Sequence, residues 1–305
     1  MSNQLTNVIG LSLWRDYVAL CKPKIVSLIV FTAVVGMFLS TPGMIPFFVL
    51  IFGTLGIGLA AASAAAINHV VDHKIDSVMA RTMRRPLPKG NVSIHGAILF
   101  AFLLGALSMV ILTYFVNVLT AALTALSLIG YGFVYSMFLK RATPQNIVIG
   151  GAAGAAPPVL GWTAVTGTLD PHSLLLFLII FAWTPPHFWA LAIYRRNDYA
   201  SVDIPMLPVT HGVEFTRLHI LLYTIVLFII TLLPYLTYMS GLLYLTGAVL
   251  LGGGFLYYSI RMQFDHSDRL AMKTFSYSIV YLMALFALLL IDHYVPLITT
   301  MIVNA

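Results

Sequence analysis

Pro46 to Ile67 is a run of 22 residues without a charge, and it leads directly into Asn68-His69-Val70-Val71-Asp72-His73-Lys74-Ile75-Asp76. A run of that length is enough to cross a bilayer as a helix. Asn68, Asp72 and Asp76 then follow at i, i+4 and i+8. Each step of four turns a helical side chain by roughly 40°, so the three line one face over two turns. Carboxylates at the mouth of a membrane helix are costly, and such residues mark functional sites. Hard oxygen ligands at this spacing suit Mg²⁺, which in enzymes usually serves phosphate groups. The stretch therefore points to a membrane enzyme handling a diphosphorylated, greasy substrate. A solvated helix end is the plainer alternative; three aligned ligands followed by a second acidic cluster count against it.

Working outward, 60% of the 305 residues are hydrophobic and 9% are charged, which is the composition of an integral membrane protein. Apolar runs predict nine membrane helices, at 25–41, 46–67, 96–114, 118–138, 147–165, 172–194, 217–238, 240–260 and 274–296, with a tight turn near Val116 and Asn117. The chain reads as one all-α polytopic domain over 1–305, with 1–24 as a cytoplasmic or interfacial N-terminal segment. If the N-terminus is cytoplasmic and the spans alternate, all 16 Lys and Arg residues fall on the cytoplasmic side. The C-terminus is then periplasmic. The net charge of +6 follows from this topology, so it is no argument for nucleic acid as a partner. Cys21 is the only cysteine, which excludes an internal disulfide and a thiolate metal cluster. A bacterial inner membrane is the simplest location, with membrane lipid as the surrounding partner.

Two long charged loops follow helices two and six. The first carries the acids and then Arg81, Arg84 and Arg85. The second carries Arg195, Arg196, Asp198 and Asp203 before Pro205. Four helices separate them, so both emerge on one side, as in a weak parallel repeat rather than an inverted one. Positive-inside topology alone would account for any one of these cations. A diphosphate also needs them, since arginine grips phosphate bidentately. Lys140 and Arg85 are the first choices, with Arg81, Arg84, Arg195 and Arg196 beside them. Small residues in helices two and five, including Gly53, Gly56, Gly150 and Gly151, suggest close helix packing.

Asn68-x₃-Asp72-x₃-Asp76 resembles the first acidic motif of the UbiA-type intramembrane prenyltransferases. Further segments look like the haem-farnesylating branch of that family, the protohaem IX farnesyltransferases or haem O synthases. They are Lys22-Pro23-Lys24, Arg81-Thr82-Met83-Arg84-Arg85-Pro86-Leu87-Pro88, Tyr135 to Lys140, Trp183-Thr184-Pro185-Pro186-His187-Phe188-Trp189 and Tyr194 to Tyr199. The acidic motif specifies only the superfamily; the Trp-Thr-Pro-Pro-His-Phe-Trp run is far more specific. The resemblance implies nine helices around a central cavity, farnesyl diphosphate and haem b as substrates, haem O and diphosphate as products, and Mg²⁺ as cofactor. It implies a haem A synthase or terminal oxidase assembly downstream. Asn68, Asp72 and Asp76, with Asp198 and Asp203, would hold the metal, and Lys140 would join the catalytic set.

One departure stands out. Superfamily members often carry a second Asp-x₃-Asp motif, whereas Asp198 and Asp203 are five apart. That spacing puts two side chains about 140° apart on a helix, so a broken conformation is needed to converge them. His187, behind a Pro-Pro pair, is the candidate to approach the haem as axial ligand or proton donor, with Trp183 and Tyr194 near it. A packed polar residue is the plain alternative. His69 and His73 are the other candidates for haem contact. Competing functions are prenylation of a quinone precursor or other aromatic acceptor, a secondary transporter with a cation site, and a membrane haem carrier. Acids at helix mouths rather than at the midplane disfavour the transporter.

The charge pattern makes a topology prediction. Reporter fusions should place 68–95, 140–146, 195–217 and 261–273 in the cytoplasm and the C-terminus outside. A cytoplasmic C-terminus would rule out an odd number of spans.

Overall fold

A computed structural model of the chain describes residues 14–79 and 82–303, and side chains as far as Val295. Arg81 lies outside the described residues. Among those described there are only helices and turns. In chain order they are α1 Trp14–Leu20, α2 Pro23–Leu39, α3 Phe47–Asp76, α4 Ile94–Phe115, α5 Val118–Ile129, a π-helical segment Gly130–Leu139, α6 Lys140–Ala142, α7 Asn146–Ala155 and α8 Pro157–Thr166. Then follow α9 Pro171–Tyr194, α10 Arg196–Ala200, α11 Leu207–Thr210, α12 Val213–Ile230, α13 Leu233–Leu236, α14 Leu242–Phe264 and α15 Asp268–Val303.

Eight helices among the described residues are long and apolar enough to cross a membrane, and a ninth results if α1 and α2, bent by 53°, count as one span. The predicted nine thus depends on this first pair, because α2 has only 17 residues, about 26 Å of helix. The second span is longer than its apolar run. α3 has 30 residues, about 45 Å, against a hydrocarbon core of about 30 Å. The surplus is the acidic end, which stays helical through Asp76. There the buried Thr82 hydroxyl donates to the Asp76 carbonyl at 3.1 Å and the Ser77 amide to His73. The predicted fifth span is two helices, because Pro157 and Pro158 start a new one after Ala155. The turn predicted near Asn117 is present. Asn117 accepts from the Thr120 amide at 2.8 Å and donates to the Thr163 carbonyl at 2.8 Å, tying α5 to α8.

Packing relies on small residues and on hydroxyls that bond across helices. Ser63 donates to Ala101 O at 2.7 Å and Ser108 to Gly56 O at 2.6 Å, closing the seam between α3 and α4. α2 and α8 meet backbone to backbone. A Cβ at Gly161 would lie 1.9 Å from the Ala33 carbonyl oxygen, and one at Gly36 would lie 2.2 Å from that of Pro158. Asp292, at the far end of α15, accepts from the amides of Gly241 and Tyr244 and so caps α14. α9 runs uninterrupted through Pro185 and Pro186 and is mostly buried.

The α2–α8 contact has no room for a methyl group. Gly161→Ala should lower stability by about 1–3 kcal/mol or more. Gly154→Ala, where a Cβ meets nothing within 4 Å, should leave it unchanged or raise it. Thermal unfolding of the two variants in one detergent checks this, and equal losses would contradict the packing argument.

Candidate active site

The last two turns of α3 bury all three members of the acidic ladder: Asn68 is 6% exposed, Asp72 3% and Asp76 3%. Burying carboxylates without partners is prohibitive, and each is met by a cation, one from 68 residues along the chain and one from the loop nine residues on. Lys140 Nζ lies 2.6 Å from Asp72 Oδ2, and an Arg85 guanidinium nitrogen lies 2.6 Å from Asp76 Oδ2. Lys22 Nζ donates to Asn68 Oδ1 at 2.5 Å. The Asn68 amide in turn donates to Asp72 Oδ2 at 3.0 Å and to Ser136 Oγ at 3.3 Å. The ladder is thus wired to the α1–α2 break, the loop after α3 and the end of the π segment.

Local structure explains how those cations arrive. Lys22 sits in the left-handed region, with φ of 49°, as Pro23 starts α2. The segment carrying Ser136 winds with i→i+5 geometry for ten residues, an uncommonly long run of a form that favours functional sites. Ser136 Oγ donates to Tyr131 O at 2.9 Å within it. Asn146, fully buried, donates to the Lys140 carbonyl at 3.1 Å and pins the turn that presents the lysine. The Tyr135 ring lies where a Gly150 Cβ would be, 2.3 Å from its position, so the glycine makes room for the ring.

Two features are incomplete. Asp72 Oδ1 is buried without a hydrogen-bond partner, and so are both ring nitrogens of His69. His69 lines a cavity of about 450 Å³ with Lys22, Arg84 and Arg85, immediately beside the ladder. The orphaned carboxylate oxygen and the all-oxygen donor set of Asn68, Asp72 and Asp76 fit a hard divalent cation such as Mg²⁺.

The second acidic pair is arranged differently. α10 ends at Ala200, and Asp203 is left-handed with φ of 51°, so the helix is broken between the two acids. Asp198 pairs with Arg195 at 3.5 Å, and the Arg195 guanidinium lies over the Tyr194 ring at 5.0 Å. Asp203 borders a second cavity, of about 680 Å³, with His73, Lys74 and Arg141. Among the described residues no three His, Cys, Asp or Glu side chains come close enough to hold a metal. Arg196 bonds Asp268 at 2.6 Å and the Ile193 carbonyl at 2.9 Å, which turns it toward α15 rather than the ladder. His73 donates through Nδ1 to Val70 O at 2.8 Å.

His187 is 8% exposed on α9. Its ring stacks on Trp183 at 4.1 Å and on Phe275 at 4.5 Å, and Nδ1 lies 2.6 Å from Ser278 Oγ. Tyr194, by contrast, is 39% exposed. Lys22, Ser136, Asn146 and Ser278 were not singled out as site residues in the sequence. Lys22 had a signal, a lysine placed directly before a helix-starting proline; the others are polar residues inside apolar runs.

Residues 29–298 match the model of the UbiA prenyltransferase family. The chain belongs to that family. It is 64% identical over 287 residues to a protoheme IX farnesyltransferase of Nitrosococcus oceani, covering 94% of this chain and 96% of that protein. It is 62% identical over 284 residues to one of Methylococcus capsulatus, covering 93% and 95%. Solved structures share the fold. A digeranylgeranylglyceryl phosphate synthase superposes with a TM-score of 0.78 at 17% identity, covering 92% of this chain and 99% of that one. A UbiA homologue of Archaeoglobus fulgidus bound to GPP and Mg²⁺ gives 0.60 at 16%, covering 90% and 99%. The expected fold and family are thereby borne out, and this multi-pass UbiA protein has family members solved with Mg²⁺ bound.

Removing one partner of a buried pair leaves the other charge uncompensated. Lys140→Met should cost about 3–5 kcal/mol of stability, and adding Asp72→Asn should restore most of it without restoring activity. Denaturant titration of the two variants reads this out; an Asp72→Asn addition that lowers stability further would contradict the pairing.

Proposed function

We propose that this UbiA-family enzyme transfers the farnesyl group of farnesyl diphosphate to a vinyl group of haem b, giving haem O and diphosphate. The observation that carries this reading is the buried ladder Asn68–Asp72–Asp76, with cations supplied by three separate elements. Its near-full-length likeness to protoheme IX farnesyltransferases selects the substrates.

Lys22, Arg85 and Lys140, with Arg84 in the adjoining cavity, set an excess of basic groups against the two carboxylates. A divalent cation and a diphosphate carry opposite charges into this cluster, so each would lower the electrostatic cost of binding the other. The two would therefore favour each other's binding, and Lys22, now on Asn68, and Lys140 and Arg85, now on the carboxylates, would serve the phosphate oxygens. Asn68, Asp72 and Asp76 would hold the Mg²⁺, and the ion would supply charge to neutralise the departing diphosphate. Arg84 and His69, in the adjoining cavity, add donors to the same anion. Asp198 and Asp203, on the loop after α9, would add carboxylates to the same metal, with Asp198 giving up its contact with Arg195.

The reaction is an electrophilic alkylation. The allylic C–O bond breaks and its electron pair leaves with the diphosphate. The vinyl π electrons bond to farnesyl C1, and the cation formed beside the porphyrin ring is captured by water, which loses a proton. Lys22, Arg85 and Lys140 stabilise the leaving group electrostatically. His187, with Trp183 against it, meets the haem. The enzyme works in a bacterial inner membrane with its acids on the cytoplasmic face, and its haem O passes to a haem A synthase or a terminal oxidase.

Purified protein incubated with haem b, farnesyl diphosphate and Mg²⁺ should yield the mass of a hydroxyethylfarnesyl haem. Asp72→Asn and Asp76→Asn should abolish it while the protein stays folded, and EDTA should stop the wild-type reaction. Full activity in either variant, or in metal-free buffer, would sink the ladder's role. His187→Ala should depress haem turnover and alter the spectrum of bound haem while leaving farnesyl diphosphate binding intact. The reverse pattern would move His187 to the diphosphate.

A further inference from the structure

α9 and α15 meet at Ser278, which is fully buried. Three groups converge on it. The Trp183 indole nitrogen donates to the Ser278 carbonyl at 2.8 Å. The Ser278 hydroxyl donates to the Phe275 carbonyl at 2.6 Å. The same hydroxyl oxygen lies 2.6 Å from His187 Nδ1. A hydroxyl has one proton, and the Phe275 carbonyl can only accept. With the Ser278 proton committed there, the oxygen can only accept from the imidazole, so Nδ1 must carry a hydrogen. In a neutral ring Nε2 then holds the lone pair. The Trp183 and Phe275 rings, stacked against the imidazole at 4.1 and 4.5 Å, hold its plane.

We propose that Ser278 is a positioning residue that locks His187 as the Nδ1–H tautomer, so that Nε2 meets the haem as an iron ligand rather than as a proton donor. The inference rests on the reading that His187 faces the haem, and it narrows it. A bare Nε2 has nothing to donate and a lone pair to coordinate. An Nδ1–H hydrogen bond also raises the basicity of the ligating nitrogen, and losing such a bond typically weakens metal binding by about 10–100-fold. The backbone carbonyl of Ser278, not its side chain, receives Trp183, so the hydroxyl can be removed without releasing the indole.

The test is ¹⁵N NMR of protein labelled at histidine nitrogens, with the His187 resonances identified by their loss in His187→Ala. Without haem, the wild type should show a protonated Nδ1 and a bare Nε2. Ser278→Ala should lose that single pattern and Ser278→Thr should keep it. Ferric haem titrated into Ser278→Ala should bind about tenfold or more weakly with a shifted Soret band, and Ser278→Thr should restore both. A wild-type Nε2–H tautomer overturns the proposal, as do nitrogen shifts indifferent to Ser278→Ala. The wild-type spectrum alone decides the tautomer if Ser278→Ala does not fold. A lock confirmed by NMR, with a haem spectrum untouched by His187→Ala, overturns instead the placement of His187 at the haem.

Discussion

Asp72 and Asp76 are buried at the end of α3, each in contact with a cation from another segment of the chain. Taking a carboxylate out of water costs several kcal/mol, and a close counter-charge with further hydrogen bonds is what offsets it. That requirement places the rest of the mouth. Lys140 can reach Asp72 only if the π segment and α6 end against α3, and Arg85 can reach Asp76 only if the loop after α3 folds back. Lys22 adds the break between α1 and α2 through Asn68. Three chain segments are therefore anchored by one face of one helix.

The same arrangement ties structure to chemistry. The pairs are satisfied as they stand except at Asp72 Oδ1, the buried oxygen without a partner. A buried carboxylate oxygen without a partner, beside a cavity lined by Lys22, Arg84 and Arg85, fits a hard cation and a polyanion together. The surroundings of His187 are built by other means. His187, Trp183, Phe275 and Ser278 sit where α9 packs on α15, with aromatic stacking and neutral hydrogen bonds instead of ion pairs. α9 links the two regions: Asp198 follows His187 by eleven residues, about 16 Å if helical throughout. Arg195 interrupts that helix.

Much of this was legible in the sequence because it depends on composition and short spacing. The apolar runs located the spans to within a few residues, and the i, i+4, i+8 ladder placed its three side chains on one buried face. The break between Asp198 and Asp203 followed from their spacing and Pro205. What stayed hidden depends on partners far away in the chain. Nothing local says that Arg196 bonds Asp268 or that Ser278 meets His187 across 91 residues. The length of α3 was also missed, because hydropathy stops at Ile67 while the helix, supported by Thr82 and tertiary ion pairs, does not. The long π segment has no marker in its apolar sequence.

The proposed chemistry requires the metal and the diphosphate to favour each other's binding at the ladder. Mn²⁺ in place of Mg²⁺ makes this measurable by electron paramagnetic resonance, with farnesyl thiodiphosphate as an unreactive donor analogue. Coupling of this kind is reciprocal, so each ligand must tighten the other by the same factor. Mn²⁺ should bind weakly alone and at least tenfold tighter with the analogue present, and Asp72→Asn should lose that gain. Mn²⁺ affinity that is the same with and without the analogue would contradict it.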